Sequence, residues 1–306
     1  MNYHLGNYSK NTIWIIGEGR SGTTWLSDII NWKKNFREMF EPFHPLKVKE
    51  AQAFSLHQYV RIKDKSNSDF TYFMDSVFTG KFMHYRVDEV NQNIFYNGLL
   101  IKDIFANLIA PWVQERYPNI KIILLIRNPF EVAISKQNKK DWGWMEDPKL
   151  FLEQKDLYED FLQPFEEIIK SVSDDYIERQ IMIWAILHYV LFQQIKKNKL
   201  HIVFYENLLH DTKQEISNLM QYIYGNDHIT VPSELLSITK IPSRVASEKR
   251  MNGNLNTNEW RKKLTDKQFN KGLEILSIFK LDSIYNKDFK PHKQEVEKLL
   301  QNHSSE

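Results

Sequence analysis

Short runs of apolar or alternating residues recur along the chain, and polar or glycine-rich stretches follow them. Runs of four to six residues rich in Ile, Leu, Val and Phe are typical of strands buried in a parallel sheet. The pattern predicts five strands, at residues 13–16, 36–40, 99–102, 121–126 and 201–205.

Longer segments with helical spacing of apolar residues lie between or after these strands, and they predict helices at 23–32, 104–116, 130–139 and 175–199. The last begins with acidic residues and ends with lysines, as the helix dipole favours. On its apolar face, we expect His188 to be a hydrogen-bonded core residue. Strands alternating with helices predict an α/β fold, a parallel β-sheet flanked by helices.

Two regions fit this alternation poorly, residues 47–97 and 140–174, and both are rich in aromatic and charged residues. Ligands of α/β enzymes bind beyond the carboxyl ends of the strands, so we expect these insertions to recognise an acceptor. Trp142 and Trp144 are candidates for stacking on sugar faces. With 306 residues, 42% of them hydrophobic, the chain is predicted to form a single domain over residues 1–306.

Charge and composition exclude several classes of function. The formal net charge is +2 and basic residues are dispersed, which argues against a nucleic-acid partner. The chain has no Cys, which excludes disulfides, thiolate nucleophiles and cysteine metal sites. Residues 1–10 lack an apolar signal core, and the apolar run at 181–192 is too short to span a bilayer. We therefore expect a cytoplasmic protein without a transmembrane segment.

A glycine-rich turn follows the first predicted strand and leads into the first predicted helix, with the sequence Gly17-Glu18-Gly19-Arg20-Ser21-Gly22-Thr23-Thr24-Trp25. In this arrangement, backbone N–H groups point inward and the helix N-terminus contributes about half a positive charge. The turn is therefore predicted to bind a phosphate group.

Two ligand classes explain only part of this turn. A P-loop nucleotide kinase or triphosphatase needs a lysine after Gly22, and that lysine is missing, so ATP or GTP cleavage is disfavoured. A dinucleotide-dependent oxidoreductase would use Gly17, Gly19 and Gly22 as G-x-G-x-x-G, with Glu41 as the ribose ligand about 20 residues downstream. That interpretation leaves Arg20 and the hydroxyl residues without a role.

A third class uses every residue of the turn. Arg20-Ser21-Gly22-Thr23-Thr24-Trp25 resembles the 5′-phosphosulfate loop of sulfotransferases that use 3′-phosphoadenosine 5′-phosphosulfate (PAPS). The resemblance implies a P-loop-like sulfotransferase fold, PAPS as co-substrate, 3′,5′-bisphosphoadenosine (PAP) as product, and no metal. It also implies cofactor contacts by the following residues: Gly19, Arg20, Ser21, Gly22, Thr23, Thr24 and, stacking on the adenine, Trp25.

A second phosphate site is predicted after the strand at 121–126. Arg127 stands at the end of that strand, and Ser135 lies about two turns into the following helix. An arginine fork and a hydroxyl placed in this way can converge on one phosphate. The Arg-x-Pro then Ser pattern resembles the 3′-phosphate site of the same family. Alternatively, Arg127 pairs with a surface acid.

The catalytic residues are expected after the second and third strands. The segment Phe40-Glu41-Pro42-Phe43-His44 resembles the Phe-Glu-Pro segment of carbohydrate sulfotransferases, which implies Glu41 as the base, with His44 second. Burial in this apolar setting is expected to raise the pKa of Glu41. Lys102-Asp103 resembles the Lys-Asp pair of protein-tyrosine sulfotransferases. Together with Arg20, Lys102 is expected to stabilise the charge that develops on the leaving group.

Two further segments resemble the family more loosely. Tyr205 lies in a Tyr-Glu-x-Leu pattern at the end of the last strand and is expected to contact the adenine, although a core tyrosine fits equally well. Residues 247–260 resemble the loop that closes over the 3′-phosphate, with Lys249, Arg250 and Gly253 as candidate contacts. Asn258 departs from the serine that often stands there.

The sequence thus predicts a PAPS-dependent sulfotransferase that acts on a hydroxyl acceptor, with a saccharide or glycolipid favoured by the Phe-Glu-Pro segment. Lipid and small-molecule alcohols stay open as acceptors. The competing functions are a dinucleotide-dependent oxidoreductase, a nucleotide kinase and a non-catalytic nucleotide-binding module. The oligomeric state is not predicted.

Overall fold

A computed structural model describes residues 3–4, 11–52, 54–64, 68–139, 146–195, 199–225, 231–241, 243–244, 259–286 and 288–301. Its centre is a five-stranded sheet in the order β3-β5-β2-β6-β7, and every pair of neighbours is parallel. The strands are β2 (Thr12–Gly17), β3 (Phe36–Phe40), β5 (Gly98–Lys102), β6 (Lys121–Ile126) and β7 (Leu200–Phe204). A separate parallel pair joins β1 (Tyr3–His4) to β4 (Phe95–Tyr96). All five predicted strands are confirmed, with ends that differ by at most one residue.

The α-helices of the described residues are α1 (Thr23–Ile30), α2 (Asp69–Phe78), α3 (Ala110–Arg116), α4 (Pro129–Gln137), α5 (Lys155–Leu157), α6 (Glu166–Lys170), α7 (Tyr176–Phe192), α8 (Tyr205–His210), α9 (Thr212–Tyr224), α10 (Ser233–Ile238), α11 (Asp266–Ile278) and α12 (Lys293–Gln301). The four predicted helices are present as α1, α3, α4 and α7. The α/β architecture expected from the sequence is therefore confirmed.

Helices α1 and α4 differ from their predicted bounds by at most two residues, whereas the start of α3 and the end of α7 differ by more, for local reasons. The segment 104–116 becomes regular α-helix only at Ala110, because the Asp103 carboxylate accepts the backbone N–H of Phe105 and bends the chain after β5. Helix α7 begins where Asp175 accepts the N–H groups of Ile177 and Glu178. It ends at Phe192 rather than at 199, since the next residues close in a tight turn.

Each face of the sheet has its own apolar core, because successive strand residues point to opposite faces. On β2, Ile13 and Ile15 belong to a core shared with α1 and α9, whereas Trp14 and Ile16 belong to a core shared with α2, α3, α4 and α7. Both insertions contribute to the second core, through buried side chains such as Phe78. The described parts of both insertions are therefore packed against the sheet.

The carboxyl ends of the strands meet at one edge of the sheet. In the register, Phe40 and Ile15 both lie beside Lys102, and Ile126 lies beside Phe204. The loop after β2 emerges at the middle of this edge, with the segments after β3, β5, β6 and β7 around it. This edge is therefore where the predicted site residues meet. None of the helices described here has the length and apolar character to cross a membrane.

Candidate active site

The loop between β2 and α1 is a tight turn that leaves helix N–H groups open. The backbone N–H and the hydroxyl of Ser21 both donate to the Glu18 carbonyl oxygen, at 3.1 and 2.5 Å. The Asn107 side chain accepts the Gly17 N–H at 3.1 Å and fixes the start of the turn. Among the described residues, no side chain caps the N-terminus of α1. The N–H groups in the first turn of α1, before that of Leu26, therefore remain available to an anion.

The conformation of this loop depends on Gly22. Its φ of 106° lies in the region that side chains disfavour, and an added Cβ would lie 2.8 Å from the Tyr205 ring. The Tyr205 ring also packs edge-to-face against Trp25 at 5.7 Å. Trp25 and Tyr205, the two predicted adenine contacts, therefore both lie beside the phosphate loop.

Arg20 connects the two predicted phosphate sites. Its Nε donates to the Ser135 hydroxyl at 3.2 Å, and its carbonyl oxygen accepts a hydrogen bond from Arg127 Nη1 at 3.0 Å. The structure thus brings together the three residues that the sequence assigns to the 5′ and 3′ ends of one nucleotide.

The orientation of the Arg127 guanidinium is fixed by Glu131, by the Tyr205 ring and by the Arg20 carbonyl oxygen. Glu131, four residues further along α4, accepts from Nε at 2.9 Å and from Nη2. The guanidinium lies over the Tyr205 ring, 4.3 Å from its centroid. Three of the five guanidinium N–H groups donate to Glu131 and to the Arg20 carbonyl oxygen, so one N–H group on each of Nη1 and Nη2 remains for a phosphate. The predicted alternative, an acid paired with Arg127, is therefore also present.

Glu41 and Lys102 form an ion pair at the ends of the neighbouring strands β3 and β5. Lys102 Nζ lies 2.6 Å from Glu41 Oε1, and the Lys102 side chain is only 2% exposed. The Glu41 backbone N–H donates to the Lys102 carbonyl oxygen at 2.7 Å, and Glu41 has a left-handed φ of 51°. This backbone conformation turns the chain out of β3 and directs the carboxylate toward the centre of the edge.

Arg86 is a second cation on Glu41, and no sequence motif predicted it. Its Nη2 lies 2.9 Å from Glu41 Oε2, and its Nη1 donates to the Glu41 carbonyl oxygen at 3.1 Å. The cations Lys102 and Arg86 lie over the Phe40 ring, 4.6 and 5.7 Å from its centroid. The carboxylate is thus held between two positive charges.

The expected rise in the pKa of Glu41 is wrong. Burial does raise it, but the charges and hydrogen bonds of Lys102 and Arg86 outweigh burial, and the pKa is lowered from its ordinary value. Glu41 is consequently ionised at neutral pH, as a base must be, but its proton affinity is reduced while both cations are in place.

His44 is less suited to act as a base than the sequence suggested. Its ring is buried, and Nδ1 accepts the Leu46 N–H at 3.2 Å, which assigns the proton to Nε2 and engages the lone pair of Nδ1. Burial, aided by the charge of Arg86, lowers the pKa of His44 to about 4. The ring is therefore neutral and packs against Phe105 at 4.8 Å.

Asp103 ties the segment after β3 to the segment after β5. Its carboxylate accepts the Phe43 N–H at 2.9 Å and the Phe105 N–H at 2.6 Å, so the chain after β3 is pinned to the chain after β5. Complete burial raises the pKa of Asp103 to about 7. In the Lys-Asp pair noted in the sequence, Lys102 contacts Glu41, and Asp103 positions the segment that carries Glu41.

Five of the residues predicted to contact the nucleotide or the acceptor are not among the described residues. Lys249, Arg250 and Gly253, and likewise Trp142 and Trp144, lie outside the described residues. Of the site residues that sequence reasoning missed, Glu131 had a detectable signal, since a residue four positions after Arg127 on a helix lies beside it. Arg86 had none, because it comes from an irregular part of the first insertion.

Comparisons with known proteins identify a family. A family model described as a sulfotransferase domain matches residues 10–272. None of the curated proteins compared with the chain matches it. Among solved structures, the chain is similar to mouse sulfotransferase SULT7A1 complexed with PAP, at 13% identity over 97% of this chain and 90% of that one, with a TM-score of 0.45. It is also similar to a sulfotransferase domain from the curacin biosynthetic pathway, at 18% identity over 99% of both chains, with a TM-score of 0.42.

Proposed function

Because the chain belongs to the sulfotransferase domain family, and is thus a PAPS-dependent sulfotransferase, we propose that Glu41 and Lys102 form its reaction centre and that its acceptor is a saccharide hydroxyl. The observation that carries the proposal is the buried Glu41–Lys102 pair, 2.6 Å apart at the sheet edge where the phosphate loop emerges. Glu41 can accept the proton of the acceptor, and Lys102 beside it can stabilise the negative charge that develops on the leaving group.

The binding residues proposed from the sequence fit a nucleotide with two separated phosphate groups. The open N-terminus of α1, with Ser21, Thr23 and Thr24 beside it, suits the 5′-phosphosulfate. Arg127, oriented by Glu131, and Ser135 suit the 3′-phosphate. Arg20 contacts Ser135 and Arg127, so it lies between the two groups and can respond to both.

In the proposed reaction, the acceptor oxygen forms a bond to sulfur while the bond from sulfur to the 5′-phosphate oxygen breaks. The acceptor proton passes to Glu41, and the electron pair of the broken bond stays on the phosphate of PAP. Lys102 stabilises that charge more in the transition state than in the ground state. As Lys102 is drawn toward the leaving group, Glu41 loses part of the attraction that lowers its pKa, and its proton affinity rises when the proton arrives.

The acceptor is proposed from the Phe-Glu-Pro segment, which favours a saccharide or a glycolipid. A small pocket near this segment is lined mainly by apolar side chains including Phe43, Phe54 and Phe105. Its volume of about 10 Å³ holds no more than a water molecule, so the pocket does not select between acceptors. We further propose that the chain is one sulfotransferase domain, since both insertions share a core with the sheet.

The Glu41→Gln variant tests the reaction centre. It keeps the shape of the side chain but loses its proton affinity, so single-turnover sulfation should slow by about 10²- to 10⁴-fold. PAP affinity should not fall, because the variant leaves Lys102 without its carboxylate and available to an anion. Glu89→Gln, at an exposed position, is the matched control.

The two measurements separate the possible roles of Glu41. Weaker PAP binding with an intact chemical step would mean that Glu41 binds the nucleotide. An unchanged rate together with unchanged PAP affinity would exclude both roles.

A further inference from the structure

A turn near the C-terminal end of the chain packs against the sheet close to Arg127. The turn comprises residues 281–286, and we call it the C-terminal turn. It lies after residue 272, where the match to the sulfotransferase domain ends. Its Ile284 side chain belongs to the core that α4 and α7 share, and the Ile284 carbonyl oxygen accepts the His292 N–H at 2.8 Å. The turn is therefore a fixed part of the fold, and the proposed reaction uses none of its side chains.

Tyr285 connects the C-terminal turn to the carboxyl end of β7. Its buried ring packs edge-to-face against Phe204, the last residue of β7, with 5.9 Å between the ring centroids. Its hydroxyl lies 3.3 Å from Glu206 Oε2. Burial and the charge of Glu206 raise the pKa of Tyr285 well above its ordinary value. The hydroxyl therefore keeps its proton and donates it in a hydrogen bond to Glu206.

Glu206 in turn contacts the chain that leaves β6. Its Oε1 accepts the Asn128 N–H at 2.9 Å, and the Arg127 carbonyl oxygen accepts a hydrogen bond from Trp184 Nε1 at 3.1 Å. These two backbone groups belong to a single peptide unit, the one that joins Arg127 to Asn128. Buried side chains thus hold that peptide unit at its donor and at its acceptor, which fixes the direction in which the Arg127 side chain leaves the strand.

The orientation of Glu206 depends on donors at both of its carboxylate oxygens. Glu206 is 5% exposed, so water has little access to replace a lost protein donor. The Asn128 N–H donates to Oε1 and the Tyr285 hydroxyl donates to Oε2. Removal of the hydroxyl would free one side of the carboxylate and weaken its hold on the peptide unit behind Arg127.

We propose that Tyr285 is a positioning residue of the nucleotide site, which acts through Glu206 to hold the backbone from which Arg127 reaches the 3′-phosphate. This inference rests on the proposed function, in which Arg127 binds that phosphate. An arginine whose backbone is held in place loses less conformational freedom when its N–H groups engage a ligand. Tyr285 should therefore matter for ligands that carry a 3′-phosphate and not for ligands that lack it.

The Tyr285→Phe variant tests this role, because it keeps the ring against Phe204 and removes only the hydroxyl. The dissociation constant of PAP should rise about 3- to 10-fold, the effect of one lost hydrogen bond, while that of adenosine 5′-phosphosulfate stays unchanged. Tyr222→Phe is the matched control. Its hydroxyl also bonds the strand region, 3.2 Å from the Ile122 carbonyl oxygen and 3.3 Å from that of Lys199, but at the amino ends of β6 and β7. It should bind both ligands as the wild type does.

A double variant shows whether Tyr285 acts through Arg127. In the Arg127→Met background, Tyr285→Phe should cause no further loss of PAP affinity, because the side chain that it positions is already gone. Calorimetric titration measures all of these affinities. A further loss in the double variant, an equal loss for both ligands in Tyr285→Phe, or unchanged PAP affinity in that variant would each overturn the positioning role. Failure of the proposed 3′-phosphate site is a separate result, because Arg127→Met alone would then change the affinities for PAP and adenosine 5′-phosphosulfate equally.

Discussion

At the scale of single residues, the site is governed by a few charged side chains that are buried together. Glu41 lies between Lys102 and Arg86, and Arg127 lies between Glu131 and the carbonyl oxygen of Arg20. Buried charges are retained only when they are paired, so each cation has a partner before any ligand arrives. Binding of an anionic nucleotide then requires these partners to share their cations.

Arg127→Met tests the assignment of the 3′-phosphate. The change keeps much of the side-chain volume over Tyr205 but removes the N–H groups, so PAP binding should weaken by about 10- to 100-fold, the effect of losing charge-assisted hydrogen bonds. Binding of adenosine 5′-phosphosulfate, which lacks the 3′-phosphate, should change little. Calorimetric titration of both ligands measures the difference.

Arg116→Met is the control for this experiment, because Arg116 is 41% exposed and pairs with Asp75. It should bind both ligands as the wild type does. An equal loss of affinity for both ligands in Arg127→Met would show that Arg127 supports the loop through Arg20 rather than the 3′-phosphate.

At the scale of elements, the phosphate loop is positioned by contacts on both of its sides. Asn107 holds its start, and the ring of Tyr205, at the beginning of α8, packs against Gly22. The loop is therefore a rigid connection between β2 and α1, and its N–H groups are oriented before a ligand binds. Such preorganisation reduces the conformational cost of binding.

Gly22→Ala should damage this element. The new methyl group would meet the Tyr205 ring at 2.8 Å at a residue whose φ already disfavours side chains, so we expect a loss of about 1–3 kcal/mol in unfolding free energy and weaker PAP binding. Urea denaturation and PAP titration measure the two effects. Gly225→Ala is the matched control, since Gly225 also has a positive φ, of 68°, but faces open space. PAP affinity lowered equally in both variants would contradict a role for the contact with Tyr205.

At the scale of the whole molecule, buried ionisable groups are concentrated at one edge of the sheet. Three acids and three bases there are less than a tenth exposed: Glu18, Glu41, Asp103, Lys102, Arg127 and Lys136. The apolar cores on both faces of the sheet stabilise the fold against the desolvation of these groups. Stability is therefore expected to depend on pH.

Acid should destabilise the protein through its buried histidines. The folded-state pKa of His188 is lowered to about 4, so the ring stays neutral in the fold, whereas in the unfolded chain it binds a proton below about pH 6.5. The unfolded state therefore binds more protons as pH falls from 6.5 toward 4, and the contribution of His188 to stability is lost over that window. His57 acts in the same direction. Glu206 acts in the opposite direction, because burial raises its pKa to about 7 and favours the protonated acid in the fold.

His188→Asn isolates one of these effects. Asparagine can still donate to the Trp184 carbonyl oxygen but does not titrate, so the fall in unfolding free energy between pH 6.5 and 4.5 should be less steep by up to about 1.4 kcal/mol per pH unit. Urea denaturation at pH 7, 6 and 5 measures the slope. His210→Asn, at an exposed position, should leave the slope unchanged. Parallel curves for the wild type and His188→Asn would refute this assignment.

The strands, the phosphate loop and the order of the elements could be predicted from the amino-acid sequence. These features depend on local physics: the period of apolar residues, the turn chemistry of glycines such as Gly22, and a helix that follows a strand. The location of Glu41 and Lys102 at the same edge of the sheet also followed from the sequence, because both residues stand at strand ends and parallel strands end at one edge. Their ion pair is a finding of the structure.

The electrostatics of the site could not be predicted in this way, because they depend on contacts between distant parts of the chain. Arg86 contacts Glu41 across 45 residues of sequence, and Lys136 contacts Glu18 across 118, from positions that no local pattern connects. The direction of the pKa shift of Glu41 depended on these partners, because burial and opposite charges act against each other and a difference of a few ångströms determines which is larger. Residue spacing specifies which groups reach an edge of the sheet, but the distances between charges come from the packing of the whole chain.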